Sequence, residues 1–219
     1  MSDKNKTTIK NIPKIIIKYN RFLDPIFIFY CKNNPELKKH GWNDWIPPEK
    51  EKILERVKNY KEEWGKQGIQ VLQEMCGILN LNFQRNVIDV HIVSGNPRGF
   101  SEPIIIKSGF SPEEFVDTLS HELIHVLFQD NIEKVPVSIL SEMFPQESQL
   151  TRNHIITHSV LKYIYLEVLK GEPRLNKNIK KSSDASGSDY SRAWEIVEKR
   201  GYRELIDEFK NKYRPLNQD

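Results

Sequence analysis

Hydrophobic and polar residues follow two different periods along the first third of the chain. The run from Lys14 to Tyr19 places three isoleucines between lysines, and its β-branched content predicts a short strand. Residues 48–80 instead repeat apolar side chains at intervals of three and four, with lysine and glutamate between them, which predicts a long amphipathic helix. Gly65 and Gly68 lie in the middle of this helix, where we expect a kink or a break.

Two further strands are predicted before the middle of the chain. Apolar and polar residues alternate over residues 85–94, which is the period of a strand with one buried face. After a turn rich in glycine and proline, residues 103–107 (PIIIK) form a short apolar run. The proline that begins this run favours a position at the edge of a sheet.

The second half of the chain is predicted to be helical. Ser111, Pro112 and Glu114 match a capping box, and apolar residues continue the helix that they start to about residue 129. A further helix is expected over residues 147–170, where Pro145 precedes its start and Gly171 marks its end.

These elements predict the domain organisation. We expect a flexible tail over residues 1–12, one α+β domain over residues 13–170, and a polar, serine-rich flexible connector over residues 171–189. Residues 190–219 are predicted to form C-terminal helices that pack on the same domain. The sequence leaves open whether the connector acts as a lid.

The composition is that of a globular protein with a balanced charge. Of the 219 residues 38% are hydrophobic and 10% are aromatic, which is enough for a folded core. A chain of this length needs neither a metal nor a disulfide merely to stay folded. The 33 basic and 30 acidic residues leave a net charge of +3, which disfavours a dedicated nucleic-acid-binding protein.

The lack of a recognisable targeting signal and the positions of the cysteines predict a cytoplasmic protein. Residues 1–11 are polar and lysine-rich and lack the apolar core of a signal peptide. The most apolar stretch, residues 15–31, carries several charges, which argues against a membrane span. Cys31 and Cys76 lie far apart in the sequence, so two buried thiols in a reducing compartment are expected rather than a disulfide.

One motif carries recognisable chemistry. Residues 121–125 read HELIH and fall within the helix that begins after Ser111. Residues four apart share one face of a helix, so the imidazoles of His121 and His125 can reach a single tetrahedral cation. Glu122, directly after the first histidine, is placed to accept a proton from a water molecule at that cation.

The motif resembles the active-site helix of the zincin metallopeptidases, whose signature is HExxH. The resemblance implies a zincin-like α+β fold: a small mixed sheet with an edge strand, a long backing helix, the motif helix and a following helix with a third ligand. It also implies one catalytic zinc ion and hydrolysis of a peptide or protein substrate. In that chemistry Glu122 is the general base that activates zinc-bound water.

A second resemblance concerns the third ligand. Residues 153–158 (NHIITH) are similar to the NExxSD-type second motif of the thermolysin-like gluzincins. Carried over by position, the similarity makes His154 the third metal ligand and gives His158 the role of orienting a ligand histidine. Histidine replaces both acids of that motif, so His158 is also an alternative third ligand, and Glu147 and Glu142 are further candidates.

The reaction also needs groups that hold the substrate and its oxyanion. Beyond zinc, the tetrahedral oxyanion requires a second electrophile. Tyr165 lies seven residues after His158, on the same helix face, and is the first candidate; His158 itself and Arg152 are the others. Residues 104–107 could bind an extended substrate by strand addition, as zincin edge strands do.

Two other functions are compatible with the sequence. The first is a non-catalytic zinc-binding interaction domain. The second is a nucleic-acid-associated peptidase, which would resemble the SprT-like repair proteases or the HExxH peptidases that cleave phage and mobile-element repressors. Lysine-rich tails favour this second alternative, whereas the balanced lysine and glutamate content is typical of a solvated surface. We therefore expect no nucleic-acid and no membrane partner, and the sequence does not indicate an oligomeric state.

Overall fold

The computed structural model describes residues 11–185 and 188–213, and these residues form a mixed α+β structure. Their elements, in chain order, are β1 (Lys14–Tyr19), α1 (Asp24–Asn33), α2 (Pro35–Lys38), α3 (Lys50–Leu79), β2 (Val87–Val93), β3 (Phe100–Ser101), β4 (Ile104–Lys107), α4 (Pro112–Asp130), α5 (Ser138–Met143), α6 (Gln149–Tyr163), a π-helical segment (Ile164–Val168), α7 (Glu172–Ala185), α8 (Ser188–Arg200) and α9 (Tyr202–Tyr213).

The described residues cluster into two compact units. The prediction of one domain over residues 13–170 stays a prediction. One unit comprises residues 13–68 and 85–126 and contains the sheet. The described part of the other unit is helical and comprises residues 69–84, 127–185 and 188–213, together with residues 11 and 12. Most of the predicted tail, residues 1–10, lies outside the described residues.

The sheet has four strands in the order β1-β2-β4-β3. β1, β2 and β4 run parallel, and β3 pairs antiparallel with β4. Ile88, Val90 and Ile92 of β2 are buried because alternate residues of a strand point to the same face. The prediction that residues 103–107 lie at an edge is wrong: β4 is flanked by β2 and by the two-residue strand β3, which was too short to be detected from the sequence.

The long helix α3 is continuous from Lys50 to Leu79, so the predicted break near Gly65 and Gly68 is absent from it. A glycine inside a helix costs about 1 kcal/mol relative to alanine. Burying a single large side chain of the helix, such as Tyr60 or Met75, offsets that cost.

The start of α4 is fixed by the predicted capping box and by a buried tyrosine. The backbone N–H of Glu114 donates to the Ser111 hydroxyl at 3.2 Å, and the N–H of Ser111 donates to the Glu114 carboxylate at 3.0 Å. Just before it, the buried hydroxyl of Tyr60 lies 2.6 Å from the carbonyl of Ser108 and 2.8 Å from that of Phe110. These contacts determine where the motif-bearing helix begins.

In the helical unit α6 packs against α8 and α9. The helix predicted over residues 147–170 is observed as α6, capped by the side chain of Ser148, followed by the π-helical segment. α8 and α9 confirm the two C-terminal helices, and Gly201 between them has a φ of 89°.

The connector predicted over residues 171–189 is wrong for most of its length, because α7 occupies Glu172–Ala185. Pro173 lies in the first turn of α7, where proline is favoured, and Leu175 is buried. Together with Ile179, four residues later, Leu175 gives the polar helix one apolar stripe. This stripe is the sequence signal for a helix, although the serine and lysine content of the segment favours a connector.

Both cysteines are buried and free, as expected. Among residues 11–185 and 188–213, no helix combines the length and the apolar character that crossing a bilayer would require.

Candidate metal centre

The two histidines of the HELIH motif lie side by side on α4. Their Nε2 atoms are 3.1 Å apart, and their rings meet edge to face at 64°. Both side chains are half-buried. This arrangement follows from the spacing of four residues, which stacks one side chain a single turn above the other.

His154 on α6 completes a group of three imidazoles. Each of His121, His125 and His154 offers one ring nitrogen, and these nitrogens lie within 4.8 Å of one another. His154 is 5% exposed, and its Nδ1 lies 2.7 Å from the carbonyl oxygen of Leu150. A carbonyl only accepts, so Nδ1 carries the hydrogen and Nε2 keeps the lone pair that a metal would use.

The electrostatic surroundings of His154 favour its neutral form. Burial lowers the pKa of His154, although the hydrogen bond to Leu150 and the charge of Asp189 oppose this shift. A neutral imidazole is the form that binds a metal.

The three histidines fit a transition-metal ion. Two nitrogens bound to one tetrahedral zinc ion lie about 3.3 Å apart, close to the separation of the His121 and His125 nitrogens. Imidazole also binds copper, iron and nickel, so the donor set alone does not identify the metal. Three protein ligands that leave one position open are typical of a catalytic rather than a structural zinc site.

Glu122 is held by residues of the β2–β3 loop and of β3. Glu122 is 7% exposed, and its Oε2 accepts a hydrogen bond of 2.5 Å from the hydroxyl of Ser101. Its Oε1 lies against Gly99. Burial raises the pKa of Glu122 to about 7, while the Ser101 hydrogen bond and the charge of Arg98 act in the opposite direction.

The other candidates for the third ligand have different surroundings. His158 is 2% exposed and stacks on the indole of Trp194, with ring centroids 4.2 Å apart and an angle of 13°. Glu147 forms an ion pair of 2.8 Å with Arg192. Among the described residues, the group of side chains close enough to hold a metal ion contains His154 and neither of these alternatives.

Glu142, the last of those candidates, has its carboxylate 3.7 Å from the ammonium of Lys212. It too lies outside the group of three histidines that was found in the described part of the chain.

All three candidates for the oxyanion stabiliser, Tyr165, Arg152 and His158, are in the helical unit. Tyr165 is buried in the π-helical segment, with the guanidinium of Arg174 5.9 Å from its ring centroid. Arg152 donates to the carbonyl of Glu147 at 2.7 Å and to the hydroxyl of Ser141 at 2.8 Å. The role of Tyr165 stays a prediction, and Arg152 is already engaged by its neighbours.

Several residues around the site were not predicted from the sequence. Ser101 and Gly99 contact Glu122 from a short strand and a loop that carry no periodic signal. The ring of Tyr190 packs on His154 with centroids 4.2 Å apart. One signal was available: Tyr190 and Trp194 are four residues apart, the same spacing as His154 and His158.

Comparisons with known proteins identified no relative of this chain. A scan against protein-family models, a search of curated proteins and a search of solved structures each found no significant match to this chain.

Proposed function

We propose that this protein is a zinc-dependent metallopeptidase with a zincin-like arrangement of its active-site helix. The observation that carries the proposal is the group of three imidazoles, in which a buried carboxylate, Glu122, directly follows the first histidine. The HExxH signature of the zincins has the same order of ligand, acid and ligand.

The ligand set favours a catalytic role for the metal. His121, His125 and His154 would hold the ion and leave a position for water or substrate. Zinc, when bound, lowers the pKa of a coordinated water and polarises a carbonyl group. The carbonyl of Leu150 keeps His154 in the tautomer that presents Nε2, so this ligand is prepared before the metal binds.

Glu122 would act as the general base and then the general acid. Its carboxylate accepts the proton of the attacking water and returns it to the amine that leaves when the peptide bond breaks. Ser101 holds Oε2, and the missing side chain at Gly99 gives Oε1 its space. These two contacts orient the carboxylate, as an efficient proton transfer requires.

The substrate class is a peptide or a protein. β3 is an edge strand of the sheet, and its Ser101 contacts Glu122. An extended peptide that paired with β3 would therefore pass beside the general base. We therefore propose β3 as the substrate-binding strand instead of residues 104–107, which form the interior strand β4. The buried, free thiols are consistent with a cytoplasmic location.

Metal analysis of the purified chain tests the ligand set. After expression in zinc-replete medium and gel filtration, the wild type should carry one zinc ion per chain, as should His158→Ala. His154→Ala should lose the metal while keeping its far-UV circular dichroism. A wild type without zinc would refute the proposal, and metal loss in His158→Ala alone would move the third ligand to that residue.

Hydrolysis tests the catalytic role separately. We expect the zinc-loaded wild type to cleave fluorescein-labelled casein or a quenched-fluorescent peptide library of mixed sequence. Glu122→Gln should retain zinc and lose at least about 100-fold in rate, the usual contribution of a general base. Zinc binding without cleavage of any peptide would instead indicate a non-catalytic zinc-binding domain.

A further inference from the structure

Helices α6 and α8 present matching pairs of rings to each other. Tyr190 packs on His154, and Trp194, one turn later on α8, packs on His158, one turn later on α6. The ring centroids are 4.2 Å apart in both pairs. From this arrangement we propose that Tyr190 is a positioning residue for the third metal ligand, holding the imidazole plane of His154. The inference rests on the proposed metal site.

His154 needs such a second constraint. The hydrogen bond from its Nδ1 to the carbonyl of Leu150 fixes the tautomer, but a single bond lets the ring tilt about the line that joins the two atoms. The terminal torsion of a histidine side chain is broad, so the rotamer alone does not fix the ring plane. The ring of Tyr190, inclined at 41° to the imidazole, covers one face of it and restricts that tilt.

The residue before Tyr190 ties α8 to the first turn of α6. The carboxylate of Asp189 accepts hydrogen bonds from the hydroxyls of Ser148 and Thr151, the latter at 2.9 Å. These two hydrogen bonds lower the pKa of Asp189, and the one from Ser148 contributes most. Ser148 is itself the N-cap of α6, and Tyr190 is thereby held close to the turn that carries His154.

The second pair supplies a matched control. Trp194 and His158 are stacked more nearly parallel than Tyr190 and His154, at 13° against 41°. His158 lies outside the metal-binding group found among the described residues, so its ring plane has no metal bond to align. A change at Trp194 should therefore affect the packing of α8 without a specific effect on metal binding.

The test measures zinc affinity by chelator competition in the full chain, for Tyr190→Ala, Tyr190→Phe and Trp194→Phe. Residues that orient a metal ligand typically contribute 10–100-fold to affinity. We expect Tyr190→Ala to bind zinc at least about 10-fold more weakly. Tyr190→Phe should stay within about three-fold of the wild type because it keeps a ring on His154. Trp194→Phe should do the same because its partner His158 lies outside the group of candidate ligands.

The visible spectrum of the cobalt-substituted protein reports on ligand geometry independently of affinity. We expect its ligand-field bands to shift in Tyr190→Ala and to be retained in Tyr190→Phe. Asp189→Ala removes the hydrogen bonds that hold Tyr190 near α6 but leaves the tyrosine ring unchanged. This variant should shift the ligand-field bands in the same direction as Tyr190→Ala. It therefore provides the test if Tyr190→Ala does not fold.

Three results would overturn the inference. Unchanged zinc affinity and cobalt spectrum in Tyr190→Ala would show that the ring does not position His154. An equal loss in Tyr190→Phe would assign the effect to the hydroxyl instead of the ring. A wild type that binds no zinc would refute the proposed function together with this inference, whereas the first two results leave the proposed function intact.

Discussion

The carboxylate of Glu122 occupies the space that a side chain at residue 99 would need. A methyl group on Gly99 would lie 2.2 Å from Oε1 of Glu122 and 3.0 Å from its Cδ. Real contacts of this kind are longer, so one of the two groups must move. Since Oε1 is the far end of a flexible side chain, the carboxylate would move and the backbone would stay.

Gly99→Ala should therefore reduce hydrolysis without unfolding the protein. We expect the rate to fall at least about 10-fold because general-base catalysis needs the carboxylate within hydrogen-bond reach of its proton. Zinc content and the melting temperature should change little. Gly109→Ala is the control, since a methyl group there would meet no atom within 4 Å. Equal rates in the two variants would show that Gly99 does not position Glu122.

Removing the hydroxyl of Tyr60 should destabilise the start of α4. This hydroxyl is buried and is shared by the carbonyls of Ser108 and Phe110, and burial raises its pKa to about 12. In Tyr60→Phe these carbonyls lose their donor, at a cost of about 1–3 kcal/mol in the free energy of unfolding. Urea denaturation measures the cost, with exposed Tyr30→Phe as a control that should stay within about 0.5 kcal/mol of the wild type.

Asp24 should be important for joining α1 to the end of β2. Its buried carboxylate accepts from the backbone N–H of Ser94 at 2.6 Å, from the Ser94 hydroxyl at 2.8 Å and from the hydroxyl of Tyr19 at 2.7 Å. Asp24→Ala leaves these donors without their acceptor and should lower the free energy of unfolding by at least about 2 kcal/mol. In the same urea titration the exposed Asp44→Ala should behave as the wild type; similar losses in both would contradict the assignment.

The two thiols should be unreactive in the folded protein. Cys31 and Cys76 are at most 1% exposed, and burial raises the pKa of each from 9.0 to about 11. Iodoacetamide at pH 8 should therefore label neither in the native protein and both in urea, as mass spectrometry would show.

The raised pKa values of the two thiols also predict how alkaline pH changes the free energy of unfolding. Folding favours the neutral thiol because its pKa is raised, so this contribution is complete below pH 9 and is lost as the pH rises through about 11. The free energy of unfolding should fall over that window. Cys31→Ala/Cys76→Ala should show a shallower fall than the wild type between pH 9 and pH 11.

Local signals predicted the motif-bearing part of the fold. The capping box at Ser111 and the spacing of His121 and His125 depend on residues within one or two turns of each other, and such short-range relationships can be read from a sequence. The sequence could not decide whether His154 or His158 is the third candidate ligand. Residues four apart share a face, so their spacing cannot tell which of them meets the other ligands.

The other differences have several causes. The interior position of β4 depends on its pairing with β3, a strand of two residues that is too short to give a periodic signal. Contacts around the site depend on residues distant in sequence. Ser101 and Glu122 are 21 residues apart, and nothing in either local pattern links them. Tyr190 contacts His154 from a different helix, and no local pattern links these two residues either.

The β2–β3 loop also sets a constraint on sequence variation. A side chain at Gly95 would lie 2.5 Å from the indole of Trp45, just as one at Gly99 would meet Glu122. Two glycines separated by three residues, between a parallel strand and an HExxH helix, form a longer signature than the five-residue motif alone. Distant relatives that share this arrangement of residues should preserve that spacing even where their remaining sequence has diverged, and the spacing provides a pattern with which to find them.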